Sequence, residues 1–163
     1  MERVIVIGGV SGSGKSTIGE KTASAIDAKF IDGDSLHPQS NINKMSAGIP
    51  LSDEDRIPWL NSIALALLEN KAVGIVVACS ALKRSYRDQI RETVPDVFFV
   101  LLNGSRDLLL SRLESRSSHF MPSTLLDSQM VIYQRLSEDE RGIEVDIEKP
   151  VEAVTAQVLA QII

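Results

Sequence analysis

Two periods alternate along the chain. Short runs rich in β-branched and aromatic residues, bounded by Gly, Pro, Asn or Asp, recur at 3–7, 29–31, 73–79, 97–102 and 143–147. Runs of that length and character predict buried strands of a parallel sheet. Between them the spacing turns helical, as with Ile18, Thr22 and Ile26 over 17–26, and with Leu108, Leu109 and Leu113 after a capping Ser105. Further helices are predicted from Pro38 to about Met45, over 59–68, through Tyr86, Arg87 and Arg91, over 124–136, and over 151–162 after Pro150. Ser52 reads as an N-cap followed by Asp53, Glu54 and Asp55, which makes that acidic cluster helix-start chemistry rather than a metal site; Pro58 is expected to restart the helix. Strand and helix alternate throughout, which predicts an α/β fold: one domain over 1–163, with a five-stranded parallel sheet and helices on both faces.

The first strand runs into Gly9-Val10-Ser11-Gly12-Ser13-Gly14-Lys15-Ser16-Thr17, which fits G-x-x-x-x-G-K-[ST] at every fixed position. Glycines let the backbone close around an anion, so that successive N–H groups converge as a nest. Lys15 adds charge at the β- and γ-phosphates, Ser16 offers a hydroxyl to Mg²⁺, and the following helix aims its positive end at the same anion. Strand, loop and helix stand in the order that a nucleotide site requires.

The second strand ends in Asp32-Gly33-Asp34, at the carboxyl edge where open α/β sheets place ligands. One carboxylate suits Mg²⁺ and the other suits a substrate hydroxyl; solvated turn aspartates are the plain alternative. His37 either bonds a polar substrate or caps local backbone. Trp59 is read as core, and Cys79 as a buried small residue. Lys83, Arg84 and Arg87 cluster beyond the third strand as a local anion site. Arg112 and Arg116 precede the small-residue loop 117–122, an arrangement that suits a lid over phosphates, although an exposed basic helix end has the same appearance.

Composition narrows the partners. A net charge of −5 argues against a broad basic face for nucleic acid, while leaving room for small anions bound by local cations. The single cysteine cannot form an internal disulfide, which fits a reducing compartment. No stretch has a signal-peptide layout or approaches the ~20 apolar residues of a membrane span. A cytoplasmic protein without membrane or nucleic-acid partners is the expectation.

These motifs together carry a resemblance. Gly9 to Ser16 (GVSGSGKS), Asp32 to Pro38 (DGDSLHP), Asn41 to Met45 (NINKM), Pro50 to Leu60 (PLSDEDRIPWL), Cys79 to Asp88 (CSALKRSYRD), His119 to Pro122 with Leu125, Leu126, Ser128 and Gln129, and Asp146 to Pro150 (DIEKP) resemble the small gluconokinases, a branch of the shikimate-kinase group of P-loop kinases. The resemblance spans almost the full length. It implies a P-loop kinase fold, ATP with Mg²⁺, phosphorylation of D-gluconate to 6-phospho-D-gluconate, a lid over approximately 117–135 and a homodimer. It also implies roles. Lys15, Asp34 and Arg116 would be catalytic, with Asp34 orienting or deprotonating the hydroxyl. Residues 9–17 and Arg112 would hold the nucleotide. Asp34, His37, Lys83 and Arg87 would line the sugar-acid site, and Ser16 with Asp32 would hold Mg²⁺. The loop before Pro150 would pack near the adenine.

Departures from the family pattern concentrate in and after the lid. Ser118 replaces a usual glycine, and Met130 to Ser137 (MVIYQRLS) replaces a stretch close to A-T-L-E-P-L, so that Gln134 and Arg135 stand where Glu-Pro is expected. Ile57 takes the place of a common aromatic. The first loops alone leave other acceptors open, a shikimate-like acid or a nucleoside monophosphate, as well as an ATP-binding homologue with impaired catalysis.

Overall fold

A computed structural model describes residues 1–115 and 124–163. Arg116 and the 117–123 part of the expected lid, including Ser118 and the His119–Pro122 motif, lie outside the described residues.

Five strands form one parallel sheet in the order β2-β3-β1-β4-β5: β1 Val4–Gly8, β2 Lys29–Asp32, β3 Ile75–Ala78, β4 Phe98–Asn103 and β5 Gly142–Asp146. Val4 pairs with Ile75 and Ile5 with Phe98, which puts β1 at the centre. Every residue of β1 and β3 is buried, as the unbroken apolar runs require when helices cover both faces. The edge strands β2 and β5 are only partly covered. Among the described residues, seven α-helices connect and flank the sheet: α1 Lys15–Ala25, α2 Gln39–Ser46, α3 Asp53–Asn70, α4 Arg84–Thr93, α5 Arg106–Glu114, α6 Thr124–Ile132 and α7 Val151–Ile162. Helix α1 packs on α7, and α3 on α4.

Element ends shift by one or two residues in several places, and two helices depart further from the sequence expectation. Helix α3 passes through Pro58 without restarting. It begins with a full capping box: the Ser52 hydroxyl accepts from Asp55 N at 3.1 Å, while the Asp55 carboxylate accepts from Ser52 N at 2.9 Å. Pro58 removes the N–H that would reach the carbonyl of Glu54, and both residues are exposed, so water can satisfy that carbonyl. Helix α6 ends at Ile132 instead of continuing to Leu136. Gln134 N instead donates to Leu82 O at 2.7 Å, and the Gln134 side-chain oxygen accepts from Arg84 N at 2.8 Å. These bonds pull the chain off the helix and onto the start of α4.

Candidate active site

Three loops at the carboxyl ends of β1, β2 and β3 meet in one cleft. The loop after β1 contributes Ser11, Gly12 and Gly14; α1 contributes Lys15, Ser16 and Thr17. Gly14 caps α1 in the left-handed region at φ 90°, a conformation that a side chain would strain. Lys15 Nζ folds back onto Val10 O at 3.1 Å, inside the loop it serves. Ser11 N donates to the amide oxygen of Gln129 on α6 at 2.8 Å, so α6 already touches the loop.

Asp32 and Asp34 both line the cleft. After β2 the chain turns at once into a short 3-10 segment, Gly33–Leu36. A side chain on Gly33 would collide with Ala78 O on the neighbouring strand, so only glycine permits this turn. Asp32 caps the turn by accepting from Asp34 N at 3.0 Å, and its other carboxylate oxygen lies 3.2 Å from the Ser16 hydroxyl. The two oxygens expected to serve Mg²⁺ are therefore adjacent. Hard oxygen donors, one of them a carboxylate, fit an ion that keeps most of its shell as water and phosphate. Among the described residues no group of three or more His, Cys, Asp or Glu gathers as a dedicated metal cage.

The far wall comes from the segment just before α2, from α2 and α3, and from the segment between those helices. It presents His37, Arg56 and Trp59. Arg56 is buried, with Nη1 donating to Leu51 O at 2.6 Å and to the Tyr86 hydroxyl at 3.2 Å, and its guanidinium lies 5.2 Å from the Tyr86 ring centre. Tyr86 in turn donates to Asp53 at 2.5 Å. Trp59 belongs to the core as expected, yet it also serves the site. Its indole N–H donates to Gly33 O at 2.8 Å, and its ring stacks on His37 at 4.0 Å. Burial, together with the nearby Arg56 charge, pushes His37 down to about 4, so the ring is neutral at physiological pH.

Two expected substrate residues fall elsewhere. Arg87, on the buried face of α4, is completely buried, 2.7 Å from Glu140, and also donates to Ala81 O at 2.9 Å and Arg135 O at 3.2 Å. This arginine braces the loop after β3 and the segment after α6; it does not line the cleft. Lys83 pairs with Asp53 at 3.1 Å and reaches the cleft only through Tyr86 and Arg56. Arg84, third member of the expected anion cluster, pairs with Asp139 at 2.7 Å. Arg112 behaves differently, bridging the glycine loop at Gly12 O (3.5 Å) and the β5–α7 loop at Ile147 O (3.1 Å). Burial pushes the Cys79 thiol up to about 12, which leaves it no thiolate chemistry.

Sequence reading passed over Arg56 and Gln129, which line the cleft, and Asn41, which contacts His37 behind it. A signal for the first was present: Arg56 shares the face of Trp59, Leu60 and Ile63, so the helical period places a charge where the core begins.

Residues 11–161 match the family model for shikimate kinase. The chain is 48% identical over 156 residues to the thermosensitive gluconokinase of Escherichia coli K12, which spans 93% of this chain and 83% of that protein. It is 43% identical over 160 residues to the thermoresistant gluconokinase of the same strain, across 96% and 91% of the two chains. The crystal structure of a gluconokinase from Sinorhizobium meliloti 1021 superimposes with a TM-score of 0.90 at 46% identity, covering 99% of this chain and 91% of that one.

Proposed function

The chain belongs to the shikimate kinase family, within its gluconokinase branch, and from that premise we propose that it transfers the γ-phosphoryl group of ATP to D-gluconate, forming 6-phospho-D-gluconate and ADP. One observation carries the reading: Lys15 and Asp34 line a single cleft whose opposite wall holds a buried arginine and a neutral histidine. A triphosphate on the glycine loop and a polyhydroxy carboxylate on the far wall would meet between them.

Residues 9–17 cradle the phosphates, and Arg112 steadies the loop from the adenine side. Mg²⁺ held at Ser16 and Asp32 would neutralise charge on the phosphates. The acceptor hydroxyl oxygen attacks the γ-phosphorus in line, the bond to the ADP oxygen breaks, and the hydroxyl proton passes to the Asp34 carboxylate. Arg56 faces the substrate carboxylate and His37 a substrate oxygen. The expected lid over approximately 117–135, with Arg116, would serve to exclude water; Arg116 and 117–123 lie outside the described residues. Lys83 and Arg87 receive no direct substrate contact in this scheme.

The protein is further proposed to work in the cytoplasm as a homodimer. No described helix is long and apolar enough to cross a membrane. Ile57, Leu65 and Leu68 are exposed along one side of α3, a surface that a second copy would cover. Sedimentation of wild type against Leu65→Glu tests the dimer: a shift to monomer is expected, and a monomeric wild type overturns it.

The deciding experiment is ADP release across gluconate, shikimate and nucleoside monophosphates. Turnover with gluconate well above the others is expected; preference for another acceptor overturns the assignment. Asp34→Asn should keep ATP affinity while losing about 10²–10⁴-fold in turnover.

A further inference from the structure

The acceptor wall contains a histidine whose hydrogen-bonding polarity is dictated by its neighbours. Asn41 on α2 is buried, and its side-chain nitrogen Nδ2 lies 2.8 Å from the backbone carbonyl of Asp55 and 3.2 Å from His37 Nδ1. A backbone carbonyl can only accept, so the amide must turn its NH₂ toward Asp55. The second hydrogen of that NH₂ then faces His37 Nδ1, which must offer a lone pair. A neutral imidazole with a lone pair on Nδ1 carries its proton on Nε2. Protonating Nδ1 would set two donors against each other.

The remaining contacts hold the ring in this pose. Trp59 stacks on it with an interplanar angle of 16° and is itself tied to Gly33 O. Nε2 is engaged by no described residue, although His37 lines the cleft. The charged groups around the ring are Arg56 on α3 and, lining the same cleft, Asp32, Asp34 and Lys15. Asp55 turns only its carbonyl toward this cluster, because its carboxylate is paired with Lys44 at 2.8 Å.

We propose that Asn41 is a positioning residue that locks His37 as the neutral Nε2–H tautomer, so that His37 donates a hydrogen bond to an oxygen of the bound sugar acid and takes no part as a base. The proposal rests on the gluconokinase reading for the identity of that oxygen, but the lock itself does not. It leaves proton acceptance to Asp34 and gives the acceptor wall two donors, His37 and Arg56, matched to an oxygen-rich anion. The low titration range of His37 agrees with the lock.

Long-range ¹⁵N–¹H correlation spectra of the intact protein test it. The chain has only two histidines, His37 and His119, and His37→Gln identifies the His37 signals by their loss. At neutral pH, Nε2 should appear protonated and Nδ1 unprotonated, and both should hold as the pH falls through 6.5. An Nδ1–H tautomer, or titration near 6.5, overturns the lock. Asn41→Asp replaces the donor at Nδ1 with an acceptor. It should raise the His37 titration range and increase the KM for gluconate about tenfold or more, with the KM for ATP unchanged. Equal changes in both KM values, or a His37 spectrum identical to wild type, would overturn the positioning role. If Asn41→Asp does not fold, the wild-type spectrum alone decides. The spectra need no turnover, so failure of the lock shows there, whereas failure of the gluconate reading shows in wild-type assays.

Discussion

Arg56 and Arg87 stand on the packed helices α3 and α4, both buried, and their surroundings put them to opposite uses. Around Arg87, every direction is answered. Glu140 takes two of its donors, the carbonyls of Ala81 and Arg135 take others, and Arg91 approaches the same carboxylate at 3.0 Å. Around Arg56, one carbonyl and one hydroxyl are engaged, and the group lines the cleft. A buried cation with a full set of partners is structure; a buried cation left facing a cleft has donors for an anion. Spacing in the sequence drew attention to Arg87, whereas the partners around each guanidinium favour Arg56.

The comparison can be broken in several ways, taken here from the largest effect down. Lys15→Ala is the reference for a residue at the reacting phosphates: turnover should fall on the order of 10³-fold or more, with the melting temperature little changed. A loss below tenfold would remove Lys15 from the chemistry. Arg87→Met should act on stability, costing about 3 kcal/mol because the buried Glu140 carboxylate loses its main partner and keeps only Arg91 and Ser137 N, and the folded fraction should retain its KM for gluconate. Denaturant titration with parallel kinetics checks both. Arg56→Met should reverse that pattern, raising the KM for gluconate about 10- to 100-fold through loss of a charge-assisted contact. If the two arginine variants show the same split between stability and KM, the distinction fails.

A pH experiment sharpens the Arg87 side. Burial pushes the Glu140 carboxyl up, but the hydrogen bonds from Arg87 outweigh it and hold the group at about 2, against an ordinary 4.5. A folded value below the unfolded one gives stability that is complete above about 4.5 and is lost as the pH falls toward 2. Calorimetry of Glu140→Gln should therefore show a shallower acid limb than wild type, at lower overall stability. The smallest expected effect concerns the departure after the lid. Gln134, standing where the family pattern has Glu, accepts from Arg84 N, so the start of α4 meets a neutral amide. Gln134→Glu should add about 0.3–1 kcal/mol by placing a negative charge at a helix N-terminus, with activity within severalfold of wild type.

How much was legible follows from where each contact comes from. The glycine loop, the strand before it and the helix after it are consecutive in the chain, so spacing alone defines them. Asp32 and Asp34 are fixed by a short 3-10 turn that needs Gly33. The end of α6 was misread because its helical pattern continues past Ile132, while the bonds that stop it come from Leu82 and Arg84, some fifty residues earlier. Pro58 was misread in the other direction, because an exposed carbonyl can be left to water.

The chain by itself determined the order of strands and helices, the phosphate loop and the acidic turn beside it, because each depends on residues within a few positions of one another. Only the tertiary structure decided which buried arginine serves the cleft and which way His37 presents its proton. Those outcomes depend on carbonyls and carboxylates brought from distant segments, and local spacing carries no record of such partners.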